Sequence, residues 1–256
     1  MSVIIFNGVT SASVHAHITE PPEYTIPERE YETIHVGGRN GDLIIDSGCY
    51  KNVDAKYKMS MDATKDGSSY SKVASAIATW LHPLSSGTRG YYRLQDSYDP
   101  EHFRLARFKG DEDISNIFNK AGEFDLSFEC MPQRYLISGE KTVLTAAGTA
   151  TNPTSQIARP KITATASAAN GYIQIVNSSY GYYHRTIIST ASAATTIDSE
   201  DEDCYSGTTN RNGIVSFKIG SGYSNSYEFP MLYPGANVIT LSNISSFSLI
   251  PNWWEL

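Results

Sequence analysis

The chain contains 256 residues, of which 40% are hydrophobic and 18% are charged, and its formal net charge at pH 7 is −7. This length allows one large domain or two of ordinary size, and the composition excludes a disordered chain, a collagen-like repeat, a small disulfide-rich fold and a membrane-spanning helix. The acidic balance argues against a nucleic-acid or anionic-membrane surface, and the first residues lack the basic start and long apolar core of a signal peptide.

The first distinctive segment is a polar arm that mixes charged residues with turn residues. It runs from Pro27-Glu-Arg29-Glu-Tyr31 to Val36-Gly-Gly-Arg39-Asn-Gly41. The glycine-rich part precedes no helix, so it predicts a hairpin turn rather than a phosphate-binding loop. Because a monomer would leave such an arm exposed, we predict that Pro27, Arg29 and Arg39 contact a neighbouring subunit.

One helix is predicted, over Ser69–Leu81. The apolar residues Val73, Ile77, Trp80 and Leu81 recur at helical spacing and form one stripe, and a proline follows soon after. The preceding residues 66–68 (Asp-Gly-Ser) are expected to supply the turn and the N-cap.

The other periodic segments alternate as strands do. Residues 124–130 place three apolar side chains and Cys130 on one face of a half-buried strand. Further strands are predicted at 90–96, 104–108, 172–176, 185–188, 213–219, 237–241 and 246–250, separated by Gly, Pro and Asn turns. The fold class is therefore mainly β with one short α-helix, of the β-sandwich type.

The charge density falls sharply near residue 146. Residues 1–146 hold 20 acidic and 15 basic residues, whereas residues 147–256 hold 7 and 5. We predict two domains, 1–146 and 147–256, with Thr145–Ser155 as a linker or a hairpin-like connection.

Aromatic residues stand out in the second half. Most of the 17 tyrosines are expected to pack in strands, and the loop with Tyr180, Tyr182 and Tyr183 is the best candidate for an exposed contact surface. The chain ends in a segment with Trp253 and Trp254, and a frayed terminus seldom carries two tryptophans, so we predict that this tail packs against the chain or a partner.

The sequence contains no pattern that is typical of a catalytic or metal-binding site. The loop that begins at Asp62 has Val73 where a calcium loop needs a bidentate glutamate, and the acidic cluster 198–203 is better explained as a solvated turn. His15 and His17 lack an identifiable third ligand. Three isolated cysteines form no framework, which fits folding in a reducing compartment. We therefore predict no enzyme activity, no metal and no cofactor.

In their order and spacing, these segments resemble the distal tail protein (Dit) family of long-tailed phages over nearly the whole chain. The matching segments are Phe6-Asn-Gly8, Pro27-Glu-Arg29, Val36–Gly41, Tyr50-x-Asn52, the helix ending in Trp80-Leu81, Tyr92-x-Leu-x-Asp96, Arg107, Phe124–Pro132, Arg159–Ile162, Thr196–Ser199, Pro234–Asn237 and Pro251-Asn-Trp253.

The resemblance implies a structural virion protein. Members of the family have an N-terminal β-sandwich with one helix and an extended hairpin arm, which forms a hexameric ring, and a galectin-like C-terminal β-sandwich. Such a ring is the hub of the tail tip, between the tail-tube protein and the tail-associated lysin or spike, and receptor-binding proteins can attach to it. The implied location is the distal tail of a virion made in the cytoplasm of a host bacterium, with neither nucleic acid nor membrane as a partner.

Two other functions stay open at this point. The second domain could be an adhesion module for cell-wall carbohydrate, although it has few basic residues and no galectin-type His-x-Asn-x-Arg run. A glycoside hydrolase would need a pair of carboxylates in different environments, and no motif identifies that pair.

Overall fold

The computed structural model describes residues 2–64, 68–84, 87, 89–110, 115–117, 120–191 and 193–256. The chain divides into two compact units, Met1–Arg134 with Leu256, and Tyr135–Glu255. The boundary between the units lies before residue 146, where the charge density falls, because residues 135–146 pack with the second unit. Each unit has its own hydrophobic core.

The first unit contains strands and the one α-helix of the described residues. These elements are β1 (Ile4–Phe6), β2 (Val9–Thr10), β3 (Ala16–Ile18), β4 (Glu23–Tyr24), β5 (Arg29–Ile34), β6 (Leu43–Tyr50), β7 (Val53–Asp62), α1 (Tyr70–Leu81), β8 (Tyr92–Asp96), β9 (His102–Phe108), β10 (Ser115–Ile117) and β11 (Ala121–Cys130). A short strand, β12 (Arg134–Leu136), spans the division between the units.

The main sheet of the first unit is antiparallel and folds back on itself. Its strand order is β2-β1-β8-β9-β11-β7-β3. In a flat sheet β8 and β7 would be about 14 Å apart, three strand spacings. However, the Tyr57 hydroxyl on β7 donates to Asp96 Oδ2 on β8 over 2.9 Å, and the rings of Phe6 on β1 and Phe128 on β11 are 5.0 Å apart. The curled sheet therefore forms two layers around one core, as predicted for a sandwich.

Helix α1 covers this core with the predicted stripe. Val73, Ile77, Trp80 and Leu81 are all buried, and the Trp80 indole N–H donates to the Val9 carbonyl over 3.1 Å. The N-cap is Ser69, whose hydroxyl accepts from the backbone N–H of Lys72, and not the preceding residues as predicted. Of those residues, Asp66 and Gly67 lie outside the described part of the chain. No helix in the described ranges is long and apolar enough to cross a membrane.

The second unit is a sandwich of two antiparallel sheets. Its strands are β13 (Gly148–Asn152), β14 (Lys161–Ala166), β15 (Gly171–Asn177), β16 (Tyr182–Ile188), β17 (Thr195–Asp198), β18 (Asp203–Ser206), β19 (Thr209–Asn210), β20 (Val215–Ile219), β21 (Ser224–Ser226), β22 (Gly235–Ser242) and β23 (Ile244–Ile250). A further short strand, β24 (Trp254–Glu255), belongs to neither of these two sheets. The six-stranded sheet has the order β13-β22-β15-β16-β20-β21, and the five-stranded sheet has the order β19-β18-β17-β14-β23. Ile173 and Ile175 from the first sheet and Ile162 and Leu249 from the second are fully buried.

Of the two sequence interpretations of residues 145–155, the linker is wrong. Residues 145–155 are not a linker, because strand β13 lies inside this segment and pairs with β22 along its whole length, from Gly148 opposite Ile239 to Asn152 opposite Gly235. Ala150 of this strand is buried, so the segment contributes to the core. With this correction the described residues are mainly β with a single α-helix, as the patterns predicted.

Candidate interaction site

The hairpin of β5 and β6, residues 29–50, is a separate two-stranded sheet that we call the arm. The two strands pair with each other and with no other strand among the described residues. All side chains of β5 are exposed, and in β6 only Tyr50 is half-buried. A two-stranded hairpin is marginally stable by itself in water, so an arm without a core is an expected place for contact with another chain.

Both faces of the arm carry exposed apolar side chains. The register places Ile34 opposite Leu43, with Ile45 two residues further along the same face. The other face has Tyr31 and Ile44, which are 51% and 63% exposed. Exposed apolar groups that adjoin one another on a strand pair, rather than scattered singly, indicate a contact surface.

The base of the arm is held by polar contacts. Arg29 Nε donates to Asp46 Oδ2 over 2.7 Å, and the Gly48 backbone N–H donates to Asp46 Oδ1 over 2.8 Å. The pKa of Asp46 is lowered because the Gly48 N–H, and then the Arg29 guanidinium, stabilise its charged form. The Lys51 backbone N–H also donates to the Glu28 carbonyl over 2.9 Å. These contacts join the two strands of the arm at its base.

The predicted assembly residues of the arm occupy different positions on it. Arg29 is at the base, engaged with Asp46, whereas Pro27 is half-buried just before β5. Arg39 is exposed in the turn, where its N–H donates to the Val36 carbonyl, and Gly38 has a φ of 80° that favours glycine.

The sequence prediction missed the apolar part of the arm. It described the arm as polar, but Leu43, Ile44 and Ile45 are three consecutive apolar residues of an exposed strand. That run is visible in the sequence. A short apolar run usually predicts a buried strand, whereas here both faces are exposed.

The tyrosines of the second unit divide between surface and core. Tyr180 is 56% exposed and Tyr183 is half-buried on the outer side of β16. Tyr182, in contrast, is buried; its hydroxyl accepts from the Met231 N–H over 3.0 Å, and burial raises its pKa. Its assignment to an exposed contact surface is therefore corrected, because alternation turns residue 182 inward and residue 183 outward.

The terminal tryptophans contact the second unit itself. Trp253 is buried in the core at 4% exposure, and its carbonyl accepts from the Leu136 N–H over 2.9 Å. Trp254 is half-buried, and its indole N–H donates to the Ile157 carbonyl over 2.9 Å. The tail is thus part of this fold, and the Trp253 ring is not available to a partner.

The acidic and cysteine side chains of the described residues do not form a metal site. No group of three or more His, Cys, Asp or Glu side chains in them could hold a metal ion. In the acidic cluster, Asp198 is buried and paired with Lys161 at 2.7 Å, at the start of the turn between β17 and β18. Burial raises the pKa of the Cys130 and Cys204 thiols to about 12, which suppresses their reactivity at neutral pH.

Comparison with known proteins identifies solved structures with a similar fold. No protein-family description matches the chain, and no curated protein matches it in sequence. The crystal structure of SPP1 Dit, described as a paradigm of the hub adsorption apparatus in phages that infect Gram-positive bacteria, is similar with a TM-score of 0.68 and 13% identity over 100% of both chains. A chain of the phage P2 baseplate in its activated conformation with Ca is similar with a TM-score of 0.55 and 8% identity over 97% of both chains. The chain therefore has the fold of these phage proteins from end to end.

Proposed function

We propose that this protein is a structural component of a phage tail tip, a homo-hexameric hub that joins the tail tube to the tail-associated lysin or spike and to receptor-binding proteins. The proposal is supported by the likeness to SPP1 Dit and the phage P2 baseplate chain, which includes both units and the order in which they follow one another. In this role the protein is not an enzyme. It belongs to the distal tail of the virion and is synthesised in the cytoplasm of the host.

The exposed arm is the observation that supports assembly of the chain into a ring. The strand pair itself does not bury the apolar side chains of the arm, so they remain exposed. An ion pair between Arg29 and Asp46 joins the two strands at the base of the arm. Full burial of an isoleucine side chain contributes about 1.5–3 kcal/mol, so covering the exposed part of Ile44 contributes roughly 1–2 kcal/mol at each interface. In a closed ring of six this single residue contributes roughly 6–12 kcal/mol.

The two units take different roles in this proposal. The first unit, which carries the arm, forms the ring, and the second is a separate, galectin-like sandwich. Pro27, Arg29, Arg39, Tyr180 and Tyr183 remain proposed contact residues.

The hexamer is tested by native mass spectrometry and light scattering on the purified protein. We expect a particle of six copies of the 28.1 kDa chain. Ile44→Asp should shift it towards the monomer, because a carboxylate would have to be buried without a partner at every interface.

A matched control separates a specific effect from general surface damage. Leu84 is fully exposed in the first unit and lies outside the arm, so Leu84→Asp should leave the assembly unchanged. A wild-type protein that is monomeric at every concentration, alone and with the tail-tube protein, would refute the hexameric hub. An Ile44→Asp variant that assembles like the wild type would refute the role of the arm.

A further inference from the structure

The outer face of the six-stranded sheet carries an isolated pair of cations. The six strands of this sheet contain no Asp or Glu, and Arg185 and Lys218 are their only Lys or Arg residues. These two residues are directly opposite each other on β16 and β20, and alternation places both on the side away from the core. The row across the sheet is formed by Thr240, Gln174, Arg185, Lys218 and Asn225.

Neither cation forms an ion pair with a residue that the structure describes. Arg159 and Lys161 of the same unit form ion pairs with carboxylates of the segment 198–203, at 3.0 and 2.7 Å. Arg185 and Lys218 form none with any described residue. Like charges directly opposite each other on a sheet are destabilising, so their presence in an acidic protein needs a compensating group.

The guanidinium of Arg185 is held rigidly. Its central carbon lies 4.4 Å from the ring centre of Tyr172 and 3.8 Å from that of Tyr223, so the group is clamped between two aromatic rings. One Nη donates to Gln174 Oε1 over 2.7 Å. A planar guanidinium fixed in this way is arranged in advance for an oxyanion, because little side-chain freedom remains to be lost on binding.

The backbone of Tyr223 is strained to make this clamp. Its φ is 53°, in the left-handed region that bulky residues rarely adopt, in the turn between β20 and β21. Glycine would fit that backbone without strain, as Gly220 does in the same turn with a φ of 74°. Strained residues that persist are concentrated at functional sites, and here the strained residue places a ring on Arg185.

From this arrangement we infer that the outer face of the six-stranded sheet binds an anionic polysaccharide that carries phosphate or carboxylate groups. Arg185 and Lys218 hold the anionic group in a charge-assisted contact. Tyr183, Val176 and Ile187 flank the pair on the same open face and offer half-exposed apolar surface to sugar rings. All residues of this site lie on one sheet of one unit or in the turn between β20 and β21, so a single copy of the chain contains the whole site.

The experiment compares dextrans of different charge with two polyanions that are not polysaccharides. The full-length protein is titrated by calorimetry with dextran, carboxymethyl dextran and phosphorylated dextran, and with polyglutamate and a single-stranded oligonucleotide. We expect the two charged dextrans to bind, with an affinity that falls as salt is added, and neutral dextran to bind at least tenfold more weakly. The two charged forms distinguish a carboxylate ligand from a phosphate ligand.

Variants identify the site. Lys218→Ala and Arg185→Lys should each weaken binding about tenfold, the second because it keeps the charge but loses the planar fork. Tyr223→Asn, which tolerates the left-handed backbone, should also weaken it. Lys141→Ala removes an equal charge from an exposed position elsewhere in the second unit and should change nothing.

Three results would overturn the inference. These are binding of neutral dextran as tight as that of the charged forms, binding of polyglutamate or the oligonucleotide as tight as that of the charged dextrans, and unchanged binding by Lys218→Ala and Arg185→Lys. Circular dichroism of each variant establishes that it is folded. Lys218 is a half-exposed position, so its variant tests the site even if a change at Arg185 disturbs the fold.

Discussion

Replacement of Trp253 by alanine should destabilise the second unit strongly. The side chain is 4% exposed within the core that also includes Ile162, Leu232 and Leu249. Removal of a buried tryptophan typically costs about 3–5 kcal/mol, because apolar contacts are lost and the surrounding residues fill the cavity only in part. A single domain is stable by about 5–15 kcal/mol in total, so the loss is a large fraction of it.

The expected change in melting temperature follows from the size of the unit. For a unit of this length roughly 4 °C is lost per kcal/mol, which predicts a decrease of roughly 12–20 °C for Trp253→Ala. Trp254 provides the control, since it is half-buried and its main polar contact is the hydrogen bond to Ile157. Trp254→Phe should therefore cost only about 0.5–1.5 kcal/mol.

Scanning calorimetry is the suitable assay because it resolves transitions of the two units. Only the transition of the second unit should move in Trp253→Ala, since the first unit has a separate core around Phe6 and Phe128. A Trp253→Ala variant that melts at the wild-type temperature would show that the tail does not pack as described. It would then be free to contact a partner.

Two further predictions concern the second unit. Gly139→Ala should destabilise it, because a Cβ at this position would lie 2.5 Å from the backbone nitrogen of Trp253; a melting temperature equal to wild type would contradict this contact. Burial lowers the pKa of His184 to about 4, so the folded unit keeps it neutral while the unfolded chain takes up a proton below about pH 6.5. The free energy of unfolding should therefore fall by about 3 kcal/mol as the pH decreases from about 6.5 to about 4, and the decrease should be smaller in His184→Gln, which urea unfolding at several pH values measures.

Local periodicity was sufficient for most elements. The helix was predicted one residue from its observed start because its buried stripe recurs at helical spacing. The strand over 124–130 was recognised by alternation, and the structure extends it to Ala121–Cys130. In both cases the pattern follows directly from which side of one element faces a core, and that information is contained in the element itself.

Features that depend on distant partners were not predictable in this way. Strand β13 has the sequence Gly-Thr-Ala-Thr-Asn, in which Ala150 has the only apolar side chain. This segment is a strand because β22 pairs with it. The clamp around Arg185 needs Tyr172 and Tyr223, which are far apart in sequence. Tyr182 could have been assigned correctly, since strict alternation in β16 turns it and His184 inward.

A fold can be shared where few residues are identical because a core constrains the burial pattern more than the identity of each apolar side chain. Both cores of this protein are complete without the arm and without the outer face of the six-stranded sheet. Folding therefore does not explain why Ile44 is exposed or why Arg185 and Lys218 lie opposite each other. Exposed apolar surface and repulsion between like charges are both unfavourable, and a bound partner would remove them. Because the fold does not determine these surfaces, function must be tested at them, through assembly for the arm and through polysaccharide binding for the sheet.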